Sequence, residues 1–116
     1  MSTFRMWEVF EKVENGPFFR DQSEWMLKSF IPNMRRVVKE YNIKYDGKTI
    51  VNCDDDLADR VWKAAKDFFV SVGVYHQESH RVIKFTEEEV NEELYTKRPC
   101  YMIGAGHDQR LLRVRS

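Results

Sequence analysis

The amino-acid sequence predicts a mostly helical α+β fold, with several amphipathic helices and a small β-ribbon. Five stretches show helical spacing of apolar residues or open on a helix-capping pattern. Two short β-favouring runs flank one polar loop, and 116 residues leave room for one domain.

The first helix is expected from about Arg5 to Glu14. Met6, Phe10 and Val13 share one face, widened by Trp7 and Val9, while Glu8, Glu11 and Glu14 fall opposite. Asn15-Gly16-Pro17 ends it, because glycine accepts a left-handed cap and proline cannot continue the helix. Asp21, with Glu24 three positions on, has capping-box spacing for a short second helix. Pro32 either interrupts that helix or opens a new one. Met34, Val37, Val38 and Tyr41 lie opposite Arg35, Arg36 and Lys39, so Asn33 to Tyr41 reads as helical.

Residues 42–52 read as irregular or extended, with Asp46-Gly47 as a turn. The strongest helix follows, from about Asp55 to Val72. Leu57, Val61, Ala64, Ala65, Phe68 and Val72 form its apolar stripe, with Ala58, Trp62 and Phe69 alongside. Asp56/Arg60 and Asp59/Lys63 have the spacing of helical ion pairs, and Gly73 is a natural stop. Val74-Tyr75 and Arg81 to Phe85 predict the two-stranded ribbon, separated by the loop His76 to His80. Thr86 with Glu89 is a second capping box, opening a helix to about Lys97. After Pro99, Cys100 to Ile103 reads as extended, followed by a Gly104-Ala105-Gly106 loop and a basic tail.

Charge narrows the function classes. Lysine and arginine sum to 19, as do aspartate and glutamate, and the zero balance argues against a dedicated nucleic-acid binder. Zero is an average: Thr86 to Glu93 holds five glutamates and no base, whereas Lys97 to Ser116 holds five bases against Asp108. The acidic helix and basic tail are expected to pair with each other or with a larger partner. Apolar runs are too short for a membrane span, and the amino terminus lacks a secretion signal. A cytoplasmic protein is expected, with neither membrane nor nucleic-acid partners.

No catalytic constellation emerges from residue types. His76 and His80 have a metal-ligand spacing but flank a loop with no third ligand nearby, so no metal site is expected. Cys53 and Cys100 read as buried small hydrophobes. A small enzyme would rest on Cys100, His107 and Asp108, with no substrate implied. Gly104-Ala105-Gly106 lacks the third glycine, the lysine and the following helix of a phosphate loop, so a structural turn is expected. The order helix, ribbon, helix fits winged-helix DNA binders, yet no recognition helix rich in Arg, Asn or Gln accompanies it. Trp7, Trp25, Trp62 and the phenylalanines offer more aromatic surface than a chain this short easily hides.

Several ordered landmarks point to one family. They are Ile31-Pro32 before a basic helix, Tyr45-Asp46-Gly47, the run Phe69 to Tyr75, and the run Ser79 to Glu89. Gly104-Ala105-Gly106-His107-Asp108 and the closing Arg113-Val114-Arg115-Ser116 complete the set. From Trp25 to Ser116 the chain resembles the N-terminal region of the monomethylamine methyltransferases, pyrrolysine-containing and corrinoid-dependent enzymes of methylamine metabolism and methanogenesis. None of these landmarks is itself a catalytic motif.

The resemblance implies a cap of amphipathic helices on a (β/α)8 barrel, as the N-terminal portion of a larger enzyme. In that family, pyrrolysine captures methylamine and presents the methyl group to a corrinoid (cobalamin) carried by a separate protein. Those catalytic positions match nothing between Met1 and Ser116, so no catalytic, cofactor-binding or metal residue is carried over. The expected partners are the remainder of the barrel or a second copy, and a corrinoid protein. Gly104, Gly106 and Asp108 are implied to be structural junction-loop residues, with His107 standing where relatives tend to carry arginine. The alternative function is a stand-alone protein-interaction or regulatory domain without catalysis.

Overall fold

A computed structural model describes residues 3–114. Arg115 and Ser116, which close the expected basic tail and the last family landmark, lie outside the described residues. Helix α1 spans Thr3–Asn15, α2 Gln22–Trp25, α3 Ile31–Glu40, α4 Asp55–Val72 and α5 Glu87–Thr96. Two antiparallel hairpins complete the fold: β1 (Val74–His76) with β2 (Arg81–Ile83), and β3 (Cys100–Ile103) with β4 (Arg110–Arg113).

Pro32 stands in the first turn of α3, where the helical path from α2 is interrupted without being broken. Between α2 and α3 the chain continues through a π-helical segment, Met26–Phe30, whose wide turn ends where the Ile31 amide donates to the Met26 carbonyl. Proline cannot donate to the carbonyl four residues back, and its ring would crowd that carbonyl in a regular α-helix. Widening the turn relieves both conflicts. Asn33 Nδ2 donates to the Ser29 carbonyl at 2.8 Å, occupying an acceptor beside the widened turn. At the other end Asp21 caps α2 by accepting the Glu24 amide at 2.8 Å, and Glu24 answers by accepting the amide of Arg20.

A small aromatic core holds these elements together. Trp25, Val72 and Val82 are buried, with Phe19, Met26, Phe30, Phe68 and Tyr75 packed against them. Trp25 stacks on Tyr75 with ring centroids 5.4 Å apart, and Phe30 meets Phe68 edge to face at 5.1 Å. Each fully buried valine contributes about 1.5–3 kcal/mol. The expected stripe of α4 supplies Val72 and Ala64 to the interior, and α3, which packs against α4, buries Val37. Asp54 caps α4 by accepting the Leu57 amide, Asp56 pairs with Arg60 at 3.0 Å, and Gly73 ends the helix. Among the described residues no ion pair joins Asp59 to Lys63.

The ribbon forms in the register Val74↔Ile83, Tyr75↔Val82 and His76↔Arg81, so His76 belongs to the strand and not to the loop. Residues 17–19 run along the other edge of β2: the Val82 amide donates to Pro17 O at 2.9 Å and the Phe19 amide to His80 O at 2.8 Å. Gly16 is required here by proximity and not, as expected, by a left-handed cap. A Cβ at this position would stand 2.2 Å from the Val82 carbonyl oxygen.

Helix α1 departs from its expected orientation. Trp7 is 68% exposed, and Phe4, Met6 and Phe10 also face solvent, while Arg5, Val9, Lys12 and Val13 are partly covered. The helix is turned so that its two cations meet the acidic face of α5. Ion pairing overrides the apolar stripe because nothing in the described fold covers that stripe.

The molecule is open for its mass. Its accessible surface is 9780 Å², where a compact monomer of 14.0 kDa exposes about 6,700 Å². Its Cα radius of gyration is 17.9 Å, against about 13 Å for a compact chain of this length.

Candidate functional site

The acidic helix expected from Thr86 to Glu93 forms, and its charge has a partner within the chain. Thr86 Oγ1 accepts the Glu89 amide at 3.2 Å while Glu89 Oε2 accepts the Thr86 amide at 2.8 Å, closing the capping box. The other Glu89 oxygen receives Arg5 Nη1 at 2.9 Å and Lys12 Nζ at 3.3 Å. Arg5 reaches Glu92 at 2.8 Å and Glu93 at 3.4 Å as well. The hydrogen bond from Thr86, reinforced by Lys12 and Arg5, holds the Glu89 carboxyl below the usual carboxylate range. From α4, Lys66 pairs with Glu87 at 3.5 Å. The acidic helix therefore pairs with α1 and α4, and among the described residues no ion pair joins it to the basic tail.

Beside this clamp lies an apolar groove of about 320 Å³, lined by Phe69, Phe85, Val90 and Leu94. Phe69 and Phe85 stack with centroids 5.9 Å apart, and Lys12 Nζ sits 4.8 Å over the Phe85 ring. A second polar cluster fastens α3 to α4. Asp67 receives Arg36 through two bonds of 2.8 and 3.3 Å, together with Tyr41 Oη and Ser71 Oγ. Arg36 holds the Asp67 carboxyl ionised below its usual range.

The chain does bring Gly104, Gly106 and Asp108 together. Gly104 has φ +85°, and a Cβ there would stand 2.7 Å from the Asp108 carbonyl oxygen. Gly106 has φ +57°, and the Asp108 amide donates to Ala105 O at 3.2 Å. These residues close the β3–β4 hairpin, a turn built for backbone reasons. His107 is exposed there, and its carbonyl accepts Arg110 Nη1 at 3.0 Å.

Other candidate chemistry stays dispersed. Cys100 pairs with Arg113 at the far end of the hairpin, three residues from Ile103, which is about 10 Å of strand from the His107-Asp108 turn. Cys53 and Cys100 are both exposed, contrary to the buried roles expected, because each sits on a segment that nothing in the described fold covers. His76 Nδ1 lies 2.9 Å from Ser79 Oγ, and His80 Nδ1 lies 3.0 Å from Tyr75 Oη. Among the described residues no group of three metal-type ligands converges. No helix among them is long and apolar enough to cross a membrane.

The β3–β4 hairpin stands apart from this body. Its register is Cys100↔Arg113, Tyr101↔Leu112, Met102↔Leu111 and Ile103↔Arg110, and all eight residues are exposed. Tyr101 borders a cleft with the end of α5, beside Glu93, Thr96, Lys97 and Arg98. The sequence marks β3 and the glycine turn, and the basic tail, read as a solvated surface or an intrachain docking strand, contains β4. The recoverable signal was two apolar-bearing runs flanking a glycine loop.

This arrangement matches a known family along nearly its whole length. Residues 4–116 match the family described as Monomethylamine methyltransferase MtmB. The chain belongs to that family. Monomethylamine methyltransferase MtmB1 of Methanosarcina barkeri is 25% identical over 95 residues, which are 82% of this chain and 20% of that protein. Monomethylamine methyltransferase MtmB of Methanosarcina mazei is 24% identical over 95 residues, with the same coverage. The crystal structure of MtmB from Methanosarcina barkeri superimposes with a TM-score of 0.81 at 22% identity, covering 95% of this chain and 24% of that one. A crystal structure of a hydroxylamine complex of MtmB gives the same values. These structures share the fold of the chain. The chain spans about a fifth of the length of the curated MtmB relatives.

Proposed function

We propose that this chain is the N-terminal structural segment of a monomethylamine:corrinoid methyltransferase-type protein. In this reading it packs as a helical cap against the remaining, larger part of a (β/α)8-barrel fold. Methyl transfer from methylamine to a corrinoid carried by a partner protein belongs to that larger part. The corrinoid is then a substrate-borne group, and Gly104, Gly106 and Asp108 shape the junction without touching it. Contacts between copies, or guidance of the corrinoid protein, are further roles for the outer surface.

The observation that carries this reading is the excess surface. The chain exposes 9780 Å², roughly 3,000 Å² more than a compact protein of its mass. Much of that surface is aromatic or aliphatic: Phe4, Trp7, Phe10, Trp62, Met102 and Leu112 are all exposed. Apolar patches of this kind mark surfaces that another body covers.

Binding of a hydrophobic dye by the purified chain tests the reading. Strong dye binding with self-association at micromolar concentration is expected. Cooperative unfolding without dye binding would favour the alternative, an independent interaction or regulatory domain. Methyl-Co(III) formation by the isolated chain, given corrinoid protein, reductant and methylamine, would overturn the division of labour.

A further inference from the structure

The β3–β4 hairpin has a pattern that goes beyond simple docking. Pleating sends Cys100 and Met102 to one face with their partners Arg113 and Leu111. Tyr101 and Ile103 point to the other face with Leu112 and Arg110. An antiparallel ribbon lying on a core alternates apolar with polar residues, so that one face stays wet. Here each face carries three apolar side chains, and its single arginine sits at one end of the ribbon. Arg110 folds back onto its own turn, donating to the carbonyls of His107 and Gln109 at 3.0 and 2.8 Å. Neither face is built for water.

A two-stranded ribbon is marginal on its own, and an uncharged strand edge such as Cys100–Ile103 invites pairing with another chain. Apart from the cleft between Tyr101 and the end of α5, the residues of both faces stay exposed in the described fold. The length of the relatives supplies a candidate cover for them. Curated relatives are about five times as long as the matched region. The Val114 amide still bonds Pro99 O at 3.1 Å, so the ladder runs to the last described residue and a longer chain would leave directly from it.

Building on the structural role argued above, we propose that β3–β4 is a wedge with two working faces. The occupant is the remaining four-fifths of the family polypeptide, which closes over both faces and makes the hairpin an interior layer. A flap lying on a surface would need only one apolar face.

Thiol alkylation separates these arrangements, because Cys100 is a native probe of one face. The full chain carrying Cys53→Ser is co-expressed with the C-terminal four-fifths of Methanosarcina barkeri MtmB1, and Cys100 is alkylated with iodoacetamide. A second form, Cys53→Ser with Cys100→Ser and Leu112→Cys, reports the opposite face. Both thiols are expected to react more than tenfold slower in the complex than in the chain alone. Amide exchange across residues 100–113 of the unsubstituted chain is expected to slow in the same complex, a readout that needs no substitution. A complex that protects one face, or neither, would overturn the wedge and leave the structural role standing. Protection of both faces in the chain alone, rising with its concentration, would assign the hairpin to a second copy and overturn the proposal. Absence of any complex would sink the structural role itself, and the wedge with it.

Discussion

Arg5 in α1 and Glu89 in α5, 84 positions apart, meet at 2.9 Å. The contact explains why α1 shows solvent its apolar stripe. Glu89 already closes the cap of its own helix, so one carboxylate both starts α5 and holds α1.

Glu89→Gln is therefore expected to lower stability by about 0.5–1 kcal/mol near neutral pH, through loss of the ion pairs to Arg5 and Lys12, while the glutamine carbonyl keeps the cap. The pH dependence follows from the direction of its shift. The folded carboxyl titrates below its unfolded value, which is about 4.3. Its stabilisation is then fully present above that value and is lost as pH falls through the folded value. Denaturant midpoints at pH 7 and at a pH well below the folded value measure this: wild type and variant differ at the first and converge at the second. Equal differences at both would contradict the clamp.

Tryptophans 7 and 25 have opposite environments, 68% and 8% exposed. Trp25→Ala opens the aromatic core and is expected to cost about 3–5 kcal/mol. Trp7→Ala in the isolated chain is expected to stay within about 0.5 kcal/mol. Trp25 Nε1 is buried and finds no hydrogen-bond acceptor among the described residues, so Trp25→Phe removes an unsatisfied donor and should cost clearly less than the alanine change. Unfolding followed by circular dichroism gives all three values. A large loss for Trp7→Ala would show that α1 packs differently.

Gly104→Ala meets both a left-handed backbone and the Asp108 carbonyl oxygen at 2.7 Å. Local destabilisation of the hairpin by about 1–3 kcal/mol is expected. Gly106→Ala meets no atom within 4 Å and carries only the left-handed penalty, about 1 kcal/mol. Amide exchange at Met102 and Leu111 ranks the two. Equal protection in both variants would remove the close approach from the explanation.

Local chemistry was legible and distant pairing was not. Gly73 ends α4, and Thr86 with Glu89 opens α5, because caps act within a few residues. The orientation of α1 is decided by Glu89, far along the chain, and periodicity alone points its apolar stripe inward. Pro32 signals a disturbance but not its form, since a widened turn and a broken helix both answer a missing amide. The exposed cysteines misled for a related reason: burial statistics describe chains that cover their own surface, and this one leaves Cys53 and Cys100 open. Gly104 and Gly106 were recognisable as a turn from composition, whereas the β4 strand that gives the turn its purpose lies in a run read as a basic tail.

The most direct test of the structural role is the mass of the species formed when this chain is co-expressed with the C-terminal four-fifths of Methanosarcina barkeri MtmB1. Light scattering coupled to size exclusion should find a complex with one chain per C-terminal segment, and dye binding should fall well below that of the free chain. Separate elution of the two, with dye binding unchanged, would contradict the claim that this surface exists to be covered by the rest of the fold.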